Sequence, residues 1–408
     1  MSNNSKEVLE LMEKRIPLVG SGLTRIIRLV KCGLISSLLG AATLSTAPAT
    51  ATESQDTELL GVMHRAYDSL SFLVRLALEP GYDRLDEPDV VAKLEQLDQA
   101  SYSLLKHGQL EPVSFHLFGR SLDQNVQQML RHYRNGLHDV AELYLLDTIE
   151  HCVACHTLLP DDKSRSIGQE FGESLKDTDL NSVLAARILI AIRQPERALE
   201  SMENYLTQSD YATSELETEE ELLDYLWYCL HITADGERPL PILRQVQEKK
   251  STPFYLQRKI GLWIENLDQF ADDLRQEPGM NQIRSLYQMA DKAEASLTRR
   301  DRSIYDIVTS TMINRLLDNN SGLEPQEKSE LYFMLAMIHM RMRTFSSSVP
   351  TAELYLEASI REAPDSELAK AAYAELEEYA LKYYGDVDPL EELFSVPIED
   401  LRTILGIE

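Results

Sequence analysis

The chain is short of helix breakers: 17 glycines and 16 prolines in 408 residues favour helices over the turns and strands of a β-rich fold. Positive charge is scarce as well. Forty Lys and Arg stand against 67 Asp and Glu, a formal charge of −27, and such a surface repels nucleic acid and anionic lipid. It suits a basic-surfaced protein partner whose encounters it would steer, and serves plain solubility equally well. Residues 176–385 hold no Gly-rich phosphate loop and no clustered His/Asp/Glu site. Cysteine is rarest among the reactive residues, at four, too few for a disulfide scaffold.

Long apolar runs are missing too. The one apolar stretch of note, residues 33–44, is too short to span a bilayer. It follows Lys14, Arg15, Arg25, Arg28 and Lys31 and precedes Ala47, Ala49 and Ala51, the layout of an export signal over residues 1–51. Cleavage is expected after Ala49 or Ala51, with no stable membrane insertion afterwards; an uncleaved anchor is the alternative. The expected location is the periplasm of a Gram-negative bacterium. Six Lys/Arg and three Asp/Glu leave with the signal, taking the formal charge from −27 to about −30. Cys32 leaves as well. Of the three cysteines that stay, Cys229 sits among Leu226, Trp227, Tyr228 and Leu230 and is expected to be a buried thiol.

The other two belong to Cys152-Val153-Ala154-Cys155-His156, the spacing of a covalent attachment site for one c-type haem. Two thiols must reach two vinyl groups of one porphyrin while an imidazole meets the iron from the same side. On a helix, positions i, i+3 and i+4 share a face, so Cys152, Cys155 and His156 can address one flat ligand. A zinc site would need a second Cys/His pair close by, and none follows His156. A thioredoxin-like motif would need a βαβ setting that this helical stretch does not offer. Haem c is attached outside the bacterial cytoplasm, so signal and motif support each other.

Apolar periodicity predicts four helices around this motif. Leu60, Met63, Tyr67, Leu70, Leu73 and Val74 mark the first, over 57–78. A second opens at Pro88 and stops at Gly108. After a loop expected to contain Pro112 and Gly119, a third carries Leu122, Val126, Met129, Leu130 and Tyr133 and closes at Asn135-Gly136. The fourth runs from about 138 to 159, with Leu145, Ile149, Cys152 and His156 at bundle-core spacing. His151 is expected on the surface.

Four helices with a single Cys-x-x-Cys-His near the end of the last resemble the class II cytochromes c, the cytochrome c′ family, over residues 55–162. The resemblance implies a four-helix bundle with one covalent haem c, thioether links from Cys152 and Cys155, and His156 as proximal iron ligand. It also places the distal group on the first helix, where Met63 is the candidate ligand. Met/His ligation would suit electron transfer. His64 points about 100° away from Met63, making bis-His ligation the weaker arrangement; Leu60 or Tyr67 would instead line an open distal pocket. Arg65, Arg131 and Arg134 are candidates to meet the propionates. The bundle's relatives often dimerise, so a homodimer is a further expectation.

Residues 161–175 read as a linker, and 176–385 as a second, wholly helical domain of alternating helices and short turns. Two of its stretches resemble tetratricopeptide repeats. One has Ala186 and Leu189, the turn Arg193-Gln194-Pro195-Glu196, then Ala198, Met202, Tyr205 and Leu206; the other has Ala352, Leu356, Ile360 and Pro364. No regular 34-residue period runs through, and an undivided helical domain is the alternative. The helix around Tyr332, Met334, Met337, Met340 and Met342 offers either a docking face or core packing. The acidic segment 386–408 is expected to fold back as a terminal helix.

Together these features predict an all-α, exported monohaem c-type cytochrome that passes single electrons, with the helical-repeat part docking a redox partner. A five-coordinate haem that binds nitric oxide or carbon monoxide and relays occupancy to a partner is the competing function. No catalytic residues are expected. Peroxidase chemistry would need a distal acid/base group, for which His64 is the only first-helix candidate, on the wrong face.

Overall fold

A computed structural model describes residues 50–78, 88–108, 113–158, 182–208, 215–295, 301–319, 322–342, 349–384 and 397–407. Almost all of the expected signal, the expected linker at 161–175 and the first half of the acidic tail lie outside the described residues. The chain divides into two compact units, 1–60 and 61–408. The described residues form 15 helices and no strand, as the scarcity of glycine and proline predicts. No described helix is long and apolar enough to cross a membrane.

The first four helices are α1 (Thr50–Leu78), α2 (Pro88–Gly108), α3 (Val113–Arg134) and α4 (His138–Leu158). Their apolar stripes meet: Leu94, Leu97, Leu117, Phe118, Val126, Met129, Leu145 and Ile149 are buried, each worth about 1.5–3 kcal/mol against exposure. Gly136 closes α3 at φ +74°. Leu137 N–H donates to the His132 carbonyl (3.0 Å) and Gly136 N–H to that of Tyr133 (2.9 Å), the left-handed cap that Asn135-Gly136 announces.

Gly119 departs from expectation, for it lies inside α3 rather than in a preceding loop. A Cβ there would stand 3.5 Å from the Leu105 backbone, ordinary van der Waals contact, so α2 packs against α3 at this point without the glycine being required for it. By contrast α1 keeps its backbone farther from α2 and α4 than α2 and α4 keep theirs from α3. It is held through side chains. Val62, Leu70, Leu73 and Val74 are buried, and Asp68 accepts from Lys93 on α2 at 2.5 Å.

Then follow α5 (Ser182–Ala191), α6 (Pro195–Gln208), α7 (Glu215–Thr233), α8 (Pro239–Glu248), α9 (Phe254–Arg275), α10 (Met280–Ala295) and α11 (Arg302–Asn319). The last four are α12 (Pro325–Arg341), α13 (Thr351–Glu362), α14 (Glu367–Tyr384) and α15 (Ile398–Leu405). Neighbours in sequence pair, α5 with α6, α8 with α9, α10 with α11, and α12 with α13. Ser329 and Ser359 exchange hydroxyl-to-carbonyl bonds of 2.8 and 2.9 Å, which draws α12 and α13 together. Leu331, Tyr332, Met334, Leu335 and Ile338 are buried there, so much of α12 is core. Leu401 of α15 is buried where that helix meets α13 and α14.

The packing closes a circuit. α4 lies on α5 and α7, α6 on α7, α7 on α11, α11 on α12, α12 on α13, and α13 returns to α3. Buried ion clusters fix the joints, two of them where α3 and α4 meet later helices. Glu357 of α13 takes a two-pronged contact from Arg120 of α3 (2.9 and 2.5 Å) and one from Arg361 (2.7 Å). Arg187 of α5 reaches Glu150 of α4 (3.2 Å) and Asp224 of α7 (2.9 Å).

Candidate functional site

α4 carries Cys152, Cys155 and His156 in its last two turns, and the helix is buried on several sides because α3, α5 and α7 all pack on it. The three side chains, each half-buried, line one apolar pocket together with Met63, Ala66, Tyr67 and Leu70 of α1. Leu97 and Leu104 of α2, Leu122 of α3, and Ala191 and Ile192 at the end of α5 also face it. So the motif and its expected partner across the bundle share one cavity. His64 is exposed and outside it, as the 100° offset predicts.

Two hydroxyls in the wall are already engaged. Ser101 donates to Asp123 at 2.9 Å or to the Asp98 carbonyl at the same distance. Thr148 donates to the Tyr144 carbonyl and accepts from Asn125, both at 2.8 Å. Among the described lining residues outside α4, Met63 carries the only thioether.

The cysteines are free thiols. Burial pushes both up to about 12, the reverse of the lowered value that a disulfide-exchanging Cys-x-x-Cys requires. Among the described residues no three His, Cys, Asp or Glu side chains converge as a cation site. In haem attachment only the imidazole of the trio binds metal.

His156 is oriented from outside the bundle. Its Nδ1 lies 3.2 Å from the Ile190 carbonyl at the end of α5. A carbonyl cannot donate, so Nδ1 carries a proton, and the contact orients the ring as a second group orients a metal-binding histidine. The same carbonyl accepts from Arg193 N–H at 2.9 Å, and Gln194 N–H donates to Leu189 at 2.8 Å. This is a left-handed helix cap with arginine, at φ +59°, where glycine is usual. Arg187, one turn back, pins α5 to α4 through Glu150.

Arg193 lines the pocket, and its charge acts on the Cys155 thiol. Sequence reasoning put it in a repeat turn and missed it as a site residue. A left-handed position in the turn, with arginine instead of glycine, is visible only once the cap is known. The three arginines nominated for propionates do not line the pocket: Arg65 and Arg131 are exposed, and Arg134 pairs with Glu95 at 2.6 Å. His151 corrects another expectation. It is buried, not on the surface, with Nδ1 donating to the Asp147 carbonyl (2.7 Å) and Nε2 accepting from Ser121 (2.9 Å). Burial lowers it to about 4, so it is neutral. Cys229 is buried as expected.

The donor set fits a covalent haem: paired thiols and an imidazole on one helix, a thioether opposite, and apolar walls. The space is tighter. The cavity measures about 60 Å³, room for about two waters against the roughly 300–1,000 Å³ of ligand pockets. Comparison with protein-family models, with curated proteins and with solved structures finds no match to this chain.

Proposed function

We propose that the chain is an exported monohaem c-type cytochrome that passes electrons one at a time, with haem linked to Cys152 and Cys155 and its iron held by His156 and Met63. The observation that carries this is the shared cavity: four residues nominated from the sequence, on two helices nearly ninety positions apart, line the same apolar pocket. The haem, when bound, supplies the one-electron couple. The chain supplies the rest. Cys152 and Cys155 would link the group, the Ile190 carbonyl orients the imidazole, the apolar wall excludes water, and Arg193 places a cation in the lining. Met63 would serve as a second protein ligand to the iron, which would favour electron carriage over gas binding. The acidic surface and the helical hairpins dock a basic-surfaced redox partner.

A pyridine haemochrome assay of the exported protein, with resting-state spectra, tests this. One haem per chain, absent from Cys152→Ala/Cys155→Ala, is expected, with a low-spin spectrum whose Met–iron band disappears in Met63→Ala. A high-spin spectrum that shifts rapidly with carbon monoxide would give the gas-binding function instead. No covalent haem would end both.

A further inference from the structure

A second cavity lies where the end of α4 meets α5, α7 and α11. It measures about 290 Å³, near the lower end for small-molecule pockets, and it shares His156 and Arg193 with the first. We infer that it binds a short-chain aliphatic carboxylate.

One side is apolar, formed by Leu158, Ile190, Pro195, Ile232 and Ala234. The opposite side is α11, which presents Thr311, Asn314 and Arg315. Arg315 donates to the backbone carbonyls of Leu274 and, at 3.0 Å, Gln276. These neutral acceptors hold the guanidinium without neutralising it, and no carboxylate pairs with it among the described residues. Asn314 is 7% exposed, and its Nδ2 has no hydrogen-bond partner. A buried amide donor left unmatched in a native fold calls for a ligand or water to complete it.

His231, also in the wall, is not a second cation. Its Nδ1 donates to the Trp227 carbonyl (2.9 Å), its Nε2 accepts from Ser310 (3.0 Å), and burial holds it neutral at about 4. The one carboxylate in the lining, Asp318, stands at the exposed rim. The pocket therefore presents the Arg315 guanidinium beside the unmatched Asn314 amide. A metal cation meets the wrong charge, a peptide exceeds the volume, and a bare inorganic anion leaves the apolar side uncovered. A carboxylate with a few carbons satisfies both walls: its head faces Arg315 and Asn314, and its body lies on Ile190, Ile232 and Ala234.

The test is calorimetric titration of butyrate into the purified full chain, read as heat and so independent of whether haem is attached. Saturable 1:1 binding with a Kd of about 1 mM or tighter is expected. Affinity should rise from acetate to butyrate and fall at least about tenfold in Asn314→Leu and in Arg315→Met. Arg315→Met also uncaps α9; Asn314→Leu is near in size and removes only the amide. No saturable heat overturns the site. Inorganic sulfate or phosphate binding as tightly as butyrate overturns the ligand class. Unchanged affinity in Asn314→Leu, with its unfolding curve intact, overturns the placement.

Discussion

Replacing Arg193 by glycine should make the protein more stable. At φ +59° the Arg193 backbone lies in the left-handed region, which costs a residue with a Cβ about 1–2 kcal/mol relative to its usual conformations. Glycine escapes that cost but loses more freedom on folding, on the order of 0.5–1 kcal/mol. The balance is a gain of about 0.5–1 kcal/mol. The cap itself survives, because its bonds from Arg193 N–H to Ile190 and from Gln194 N–H to Leu189 are backbone bonds. For a unit of several hundred residues that gain raises Tm by about 1–2 °C.

Thermal unfolding of wild type, Arg193→Gly and Arg193→Ala measures this. Alanine keeps the strained backbone without the guanidinium, so it should sit at or below wild type while glycine sits above both. If glycine and alanine behave alike, or glycine lowers Tm, the strain argument is wrong and the side chain is structural. A residue kept against its backbone preference marks a functional position, and the pocket indicates which function. Under the proposed function, loss of a cation beside the haem should lower the reduction potential in both variants. One unscreened charge at about 10 Å and an effective dielectric near 20 is worth about 2 kcal/mol, an upper limit on the order of 70 mV.

Three further outcomes follow from the buried polar groups. Glu357→Ala leaves Arg120 inside the α3–α13 joint without its partner and should cost about 3–5 kcal/mol in denaturant unfolding, whereas Arg120→Met/Glu357→Leu together should recover most of it. His151 is held at about 4, below its unfolded value near 6.5, so the unfolded chain binds the extra proton first. Its contribution is therefore complete above about pH 6.5 and is lost as pH falls toward about 4, up to about 3 kcal/mol. Asp224, at about 7, and Asp306, at about 6, act in the opposite direction because burial raises them. The measurement is thus the difference between wild type and His151→Gln, whose stability should fall less between pH 6.5 and 4. Arg187→Met should free α5 from Glu150 and Asp224, seen as faster amide exchange across 182–194 than in wild type.

The local parts of the bundle were legible because each has a local cause. Pro88 and Gly108 bound α2, and Asn135-Gly136 caps α3, as turn chemistry requires. Cys152, Cys155 and His156 share a face by helical spacing alone, and the same spacing separates Met63 from His64. Gly119 misled because a glycine inside a helix and a glycine in a loop look alike until α2 is seen packed beside it. His151 misled because three helices besides its own surround the end of α4, and an amphipathic reading assumes a wet side. Both errors share a source: they depend on which helix is the neighbour.

That dependence is strongest at the iron-side imidazole. Within the four helices nothing decides which nitrogen of His156 carries its proton. The answer comes from the Ile190 carbonyl, some 34 residues away in sequence and beyond the expected linker. α5 is a short apolar helix, and its end faces the site only because Arg187 draws it onto Glu150 and Asp224. A helix C-terminus concentrates negative partial charge on its last carbonyls, and a hydrogen bond to one of them raises the basicity of the bonded imidazole. A more basic ligand favours the oxidised metal. Under the proposed function, the contact from the Ile190 carbonyl to His156 ties the electron affinity of the site to the position of α5. A partner that shifts α5 should alter the potential without touching the bundle, and one that docks elsewhere should leave it unchanged. Potentials measured with and without the partner, in wild type and in Arg187→Met, separate the two, because the variant should already sit at the shifted value.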